Sequence, residues 1–198
     1  TITGNTLSAA TALNISTVLY QNVTYSVTGI GEYAFSDCIK LTSVSFPKAT
    51  SIGKNAFANC SNLTSATIPN ASEIGKGAFN SCDKLMSATF LKAESIESGV
   101  FYNCSSLTSA TIPNASEIGK GAFNSCGKLT SATFLKAESI GYDAFYNCGS
   151  LKSVTIPNAS KIGNNAFMRC TLLSTLYLGA TPPSVADGAF NGCPSHRN

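Results

Sequence analysis

The stretch that decides the fold runs from residue 74 to residue 90 and reads IGKGAFNSCDKLMSATF. Its apolar positions include Phe79, Cys82, Leu85, Ala88 and Phe90. The steps of three suit tight turns or a short 3₁₀ piece. The closing step of two is strand alternation, which places Ala88 and Phe90 on one face. Outward from this stretch the same text returns every 22 residues. One column runs from Ile30 through Ile52, Ile74 and Ile96 to Ile162 and is closed by Val185; a second runs from Phe35 to Phe190, a third from Cys38 to Cys193, a fourth from Leu41 to Leu173. A 44-residue period lies on top. Residues 60–104 and 104–148 are nearly the same text, with Asp83 answered by Gly127 and Met86 by Thr130.

One such coil cannot bury its apolar face alone. Stacking equivalent coils about 4.8 Å apart joins the four columns into one continuous core. The expected fold is an α/β-type solenoid, right-handed, of seven or eight rungs. One face is a parallel sheet, and the other consists of short 3₁₀ or irregular turns, because I-G-x-x-A-F is too short for a stable helix alone. Residues 1–24 lack the repeat text and read as an N-terminal cap, with alternation over Val18–Val27. Residues 25–193 hold the rungs. Pro182-Pro183 breaks the pattern before a last Ala189-Phe190 half-rung, and residues 194–198 read as a tail.

The repeat text resembles the BspA-like, or Treponema-type, leucine-rich repeats, whose pattern is C-x-x-L-x-x-I-x-I-P followed by I-G-x-x-A-F-x-x-C. Cys60, Leu63, Ile68, Pro69, Ile74, Gly75, Ala78, Phe79 and Cys82 match it as they stand. Leu91 and Leu135 replace the Pro, Glu97 replaces one Gly, and Ala66, Ala88, Ala110 and Ala132 occupy a strand position where the pattern prefers Leu. The resemblance implies a leucine-rich-repeat array. It also implies a bacterial protein, secreted or displayed at the cell surface, that takes part in adhesion to host extracellular-matrix proteins.

Composition narrows the chemistry. Only 12% of the 198 residues are charged and the formal net charge is +3, with no basic cluster, so no nucleic-acid partner is expected. Ser and Thr number 47, so the surface is hydroxyl and amide rather than ionic. No apolar run is long enough for a membrane helix, and no secretory signal or anchoring motif is legible in these residues. Trp is absent and the one His is His196, which excludes a His-based triad or a multi-His metal site. The eight Cys form no CxxC pair, which argues against a zinc ribbon. Each sits three residues after the Phe and reads as a small, reduced core residue rather than half of a disulfide, since in-register neighbours point the same way. The Gly column (Gly31, Gly53, Gly75, Gly119, Gly141, Gly163) lacks phosphate-loop text and reads as a turn that tolerates positive φ. Glu73, Glu94, Glu117 and Glu138 recur once per rung beside lysines and single out no catalytic pair. No calcium loop appears. No cofactor, metal or catalytic residue is expected, and the chain reads as non-enzymatic.

The strand face is the candidate site. If Leu63, Ala66 and Ile68 point inward, Ser65 and Thr67 point outward. The same alternation exposes Ser87 and Thr89, Ser109 and Thr111, Ser131 and Thr133, Ser153 and Thr155, and changes at the last rung to Tyr177. Two hydroxyl ladders result, bordered by a row that includes Thr64, Met86 and Thr108. Solubility and β propensity explain such ladders, and so does a platform for an extended protein or polysaccharide ligand. Two other readings stand beside adhesion: an array that binds ice or crystalline polysaccharide, and the targeting segment of a larger enzyme. An open last rung is also able to stack end to end on another copy.

Overall fold

A computed structural model describes residues 11–20 and 23–194. The expected cap and tail fall partly outside these residues, as does His196. The described strands are β1 (Ala12–Asn14), β2 (Thr17–Tyr20), β3 (Val23–Ser26), β4 (Gly29–Ile30), β5 (Ser43–Ser45), β6 (Ser51–Ile52), β7 (Ser65–Thr67), β8 (Glu73–Ile74), β9 (Ser87–Thr89), β10 (Ser95–Ile96), β11 (Ser109–Thr111), β12 (Glu117–Ile118), β13 (Ser131–Thr133), β14 (Ser139–Ile140), β15 (Ser153–Ile156), β16 (Lys161–Ile162), β17 (Thr175–Leu178) and β18 (Ser184–Val185). The chain is a parallel β-solenoid. Odd strands from β5 onward stack on one face in 22-residue register, Ser65 on Ser43 and Ser87 on Ser65. Even strands from β4 onward form a second, two-residue ladder, Ile52 on Ile30 and Ile74 on Ile52. At the N-terminal end β1 pairs in parallel with β5, covering its edge, while β2 and β3 form an antiparallel hairpin.

No helix occurs among the described residues. Between an even strand and the next odd strand the chain runs through turns, and backbone hydrogen bonding explains why these never become 3₁₀. Amide donors alternate in direction. Ala56, Ala58 and Cys60 donate to Gly53, Asn55 and Phe57 in their own rung, three residues back. Asn55, Phe57 and Asn59 donate instead to Lys76, Ala78 and Asn80 of the next rung. The alternation requires a left-handed residue every fourth position, at Asn55 (φ 52°) and Asn59 (φ 60°) in this rung. The same two positions are filled by Gly77 and Ser81, by Gly99 and Asn103, and so on to Gly188 and Gly192. Asn, Asp and Gly tolerate this region best; two left-handed residues per rung rule out a continuing helix.

The Gly column that reads as a positive-φ turn has another cause. None of Gly31, Gly53, Gly75, Gly119, Gly141 and Gly163 lies in the left-handed region; the positive φ belongs to the residue two places later. From Gly53 onward these glycines are required by close approach. A Cβ on Gly141 would lie 2.7 Å from Gly119 C and 2.8 Å from both Ile118 O and Lys120 N, all backbone of the preceding rung. Each such glycine donates its N–H to the Ile carbonyl of that rung, as Gly141 does to Ile118 O at 2.7 Å. Glu97 is the exception. Its rung is where the two-residue ladder breaks, between β8 and β10.

The core holds the predicted columns. Phe57, Phe79, Phe101, Phe123, Phe145 and Phe167 are wholly buried and stack ring on ring at centroid separations of 5.1–5.2 Å, except Phe79–Phe101 at 5.8 Å, again the Glu97 step. Phe46, Phe90 and Phe134 tilt against this stack every second rung, which is the structural content of the 44-residue period. All eight cysteines are free thiols. From Cys60 onward their conformation gives each a partner: Cys82 Sγ donates to Phe57 O at 3.1 Å and Cys104 Sγ to Phe79 O at 3.1 Å, each one rung back. The Phe57 carbonyl therefore accepts both Cys60 N and Cys82 Sγ. Cys fills the position as a small apolar side chain with one weak donor. Burial pushes the thiols from Cys38 to Cys148 up, Cys60 and Cys148 to about 12, so these stay protonated; at the last step a Cys170–Cys193 hydrogen bond raises Cys170 and lowers Cys193.

Candidate functional site

The odd strands place the predicted residues on one exposed face. Ala66, Ala88 and Ala132 are buried, and Ser87, Ser109, Ser131, Thr67, Thr111 and Thr133 beside them are exposed. Ser65, Thr89, Ser153 and Thr155 are half-buried between neighbouring rungs. Tyr177 stands 59% exposed at the end of the row, over Thr155. Parallel in-register pairing brings Ser65, Ser87 and Ser109 into one row and Thr67, Thr89 and Thr111 into another. A second pair of rows joins Ser131 to Ser153 and Thr133 to Thr155.

The two groups are not continuous. β11 and β13 do not pair, so the strand face divides into a five-stranded sheet ending at β11 and a three-stranded sheet beginning at β13. On the turn face the same two rungs stay hydrogen-bonded, with Phe101 N donating to Ala122 O and Asn103 N to Asn124 O at 2.8 Å. Their Phe rings, Phe101 and Phe123, are inclined by 22°, the largest angle in the stack. The rungs thus splay as a wedge that is closed on the turn face and open on the strand face. The opening is a cleft of about 310 Å³ lined by Thr108, Ser109, Thr111, Pro113, Ser131 and Leu135, among others. Ala110, in the strand at its edge, is only partly buried. Sequence reasoning missed this seam, since the text on either side, Leu-Thr-Ser-Ala-Thr, is the same at residues 107–111 and 129–133.

The hydroxyls differ in availability. The bordering row is consumed up to the seam: Thr64 Oγ1 donates to Thr42 O at 2.8 Å and Thr108 Oγ1 to Met86 O at 2.9 Å, each one rung back. The Ser and Thr of the central rows make no side-chain hydrogen bond to protein among the described residues, which leaves both their donors and acceptors to solvent or a ligand. Beside them lies an apolar border in which Leu91 and Leu135 are about half exposed where Pro113 occupies the same column. Chemically this is a weakly charged, rigid platform able to exchange hydrogen bonds and to cover a few apolar side chains. Among the described residues no group of His, Cys, Asp and Glu is placed to hold a metal ion, and no helix is long and apolar enough to cross a membrane.

Comparison with known proteins agrees with the geometry. The sequence profile described as the BspA type leucine rich repeat region matches in six copies, over residues 12–130 and 94–198. Among solved structures, a leucine-rich cell surface protein of Faecalibacterium prausnitzii A2-165 superimposes with a TM-score of 0.78 at 30% identity, over 90% of this chain and 50% of that one. The leucine-rich-repeat protein of T. pallidum superimposes with a TM-score of 0.71 at 26% identity, over 83% of this chain and 78% of that one. The chain thus spans half the length of the Faecalibacterium protein. No curated protein matches it.

Proposed function

This chain belongs to the BspA-type leucine-rich-repeat family, and from that premise we propose that it is a non-enzymatic binding module of a bacterial surface or secreted protein, holding an extended protein segment or glycan of a host matrix on its strand face. The observation that carries the reading is the contrast between hydroxyl rows. The bordering Thr64 and Thr108 are spent on holding rungs together, while Ser109, Thr111, Ser131 and Thr133 stand unspent around an open cleft. A ligand strand laid across the face meets free hydroxyls on both sides of the seam, and the β11 and β13 edges add backbone groups that no neighbouring strand takes up. With few charges on the face, affinity comes from hydrogen bonds and shape, so it depends weakly on salt.

An ordered-water or crystal-lattice ligand is not favoured, because such a surface needs an unbroken array and this one is interrupted between β11 and β13. The experiment is binding to an array of matrix proteins and polysaccharides, comparing the native chain with a Thr67→Lys, Thr111→Lys, Thr155→Lys variant. Binding that disappears in the folded variant places the ligand on the strand face; binding that survives removes the strand face from the reading.

A further inference from the structure

A second cavity, of about 480 Å³, lies on the turn face. It arises from the left-handed column that precedes Ala-Phe. That column carries a side chain at Tyr33, Asn55, Asp143 and Asn165, but glycine at Gly77, Gly99 and Gly121. Three successive rungs lack a side chain at the same place, and a trough opens between Asn55 at one end and Asp143 at the other. Such a gap is by itself only a gap. Its polar lining is what points to a ligand.

Asn124 is 8% exposed, the one polar side chain so buried among the described residues, and it lines the trough. Its Oδ1 accepts from Ser125 Oγ at 2.9 Å. That leaves Nδ2 as the trough-facing end, and it donates to no protein group among the described residues. Asn80, two rungs earlier, repeats the arrangement with Ser81 Oγ donating to its Oδ1 at 2.8 Å. Each serine fixes an amide so that its donor end is offered outward. At the far end, Asp143 Oδ1 is buried and receives no hydrogen bond. Buried polar atoms without partners are rare and are retained where something else satisfies them. Lys54, Lys76 and Lys120 add ammonium groups along the same trough. Two of them lie over aromatic rings, Lys54 Nζ 5.9 Å from the centre of Tyr33 and Lys120 Nζ 5.0 Å from that of Tyr142.

We propose that this trough binds an acidic polysaccharide carrying one carboxylate per disaccharide. Fixed amide donors and the exposed Tyr102 ring are groups that recognise the hydroxyls and faces of sugar rings. The lysines favour an anionic ligand. Asp143 argues against a dense polyanion such as a nucleic acid, which it would repel. The repeat follows the full set of groups rather than the lysines alone: Lys76, Gly77 and Asn80 recur as Lys120, Gly121 and Asn124 two rungs on, about 10 Å away at the strand spacing, comparable to the length of a disaccharide unit, while Lys54, one rung before Lys76, lies against Tyr33. The site is separate from the strand face and stands or falls without it.

The test is calorimetric titration of the full chain at low salt with a hexasaccharide of alternating glucuronate and N-acetylglucosamine, its carboxyl-reduced neutral form, and a glutamate decapeptide. Two variants disable the trough differently. Gly99→Asn fills its floor without changing charge; a Cβ there meets only Tyr102 Cβ at 3.7 Å, and Asn tolerates the φ of +64°. Lys76→Gln with Lys120→Gln removes two exposed cations and leaves the fold untouched should the first variant fail to fold. The acidic hexasaccharide is expected to bind saturably, and to weaken about tenfold or more on carboxyl reduction and in each folded variant. The Thr67→Lys, Thr111→Lys, Thr155→Lys variant is expected to bind it unchanged. Absence of saturable binding, equal binding of the neutral form, equal or tighter binding of the peptide, undiminished binding in the lysine variant, or loss of binding in the strand-face variant overturns the proposal.

Discussion

Replacing Gly141 by Ala adds one methyl group at a close backbone contact between rungs. Its Cβ would lie 2.7–2.8 Å from three backbone atoms of the preceding rung, where ordinary contact begins at 3.4 Å. Backbone cannot swing aside as a side chain can, so the rungs must part by about 0.6 Å, the difference between 3.4 and 2.8 Å. The molecule already contains that experiment. At Glu97 the Phe79–Phe101 separation is 5.8 Å against 5.2 Å at the next step, also 0.6 Å, and the ladder hydrogen bond is absent there. For Gly141→Ala the overpacking costs about 1–3 kcal/mol and the lost Gly141 N–H bond to Ile118 O about 1 kcal/mol. Reduced freedom of the unfolded chain returns about 0.4–1 kcal/mol. The net expectation is a loss of about 1–3.5 kcal/mol in urea unfolding, with faster hydrogen exchange at residue 141. The reverse change, Glu97→Gly, gains one hydrogen bond of about 1 kcal/mol and loses about as much in chain entropy, so it should lie near neutral. A Gly141→Ala chain as stable as the native one, with its amide still protected, would refute the close-approach account of the whole column.

Phe123→Ala should cost about 3–5 kcal/mol, because the ring is wholly buried between Phe101 and Phe145; urea unfolding showing less than about 1 kcal/mol contradicts the stacked core. Cys60, Cys82, Cys104, Cys126 and Cys148 should resist a thiol reagent in the native chain and react once it is unfolded, since burial holds each above the ordinary thiol range. The same shifts set a pH dependence. Between an unfolded value of about 8.5 and the folded value of about 12 for Cys60 and Cys148, the unfolded chain has released protons that the folded chain keeps, so stability falls as pH rises, by about 1.4 kcal/mol per pH unit for each thiol. Urea midpoints at pH 8 and pH 10 read this directly, and equal midpoints would contradict buried, protonated thiols. Thr111→Lys should leave the midpoint within about 0.5 kcal/mol of native stability, because its side chain is exposed beside the seam.

The period was legible in the residues because a solenoid repeats the same burial problem at every turn. Ile74, Phe79, Cys82 and Leu85 meet their own counterparts one rung away, so a 22-residue spacing in the text becomes a column in space. The alternation of Ser87, Ala88 and Thr89 likewise told which side chains face outward, since strand geometry leaves no other choice. Tertiary structure alone decided what happens between rungs. Gly141 looks in sequence like a turn residue, yet it is small because another backbone passes within van der Waals reach, a distance no single rung contains. The left-handed positions two residues later accept Tyr, Asn, Asp or Gly, so they leave no uniform mark in the text. The seam between β11 and β13 and the trough over Gly77, Gly99 and Gly121 depend on how successive rungs tilt and on which side chains are missing from three of them in a row. Those are properties of the stack, and a repeat unit read alone does not carry them.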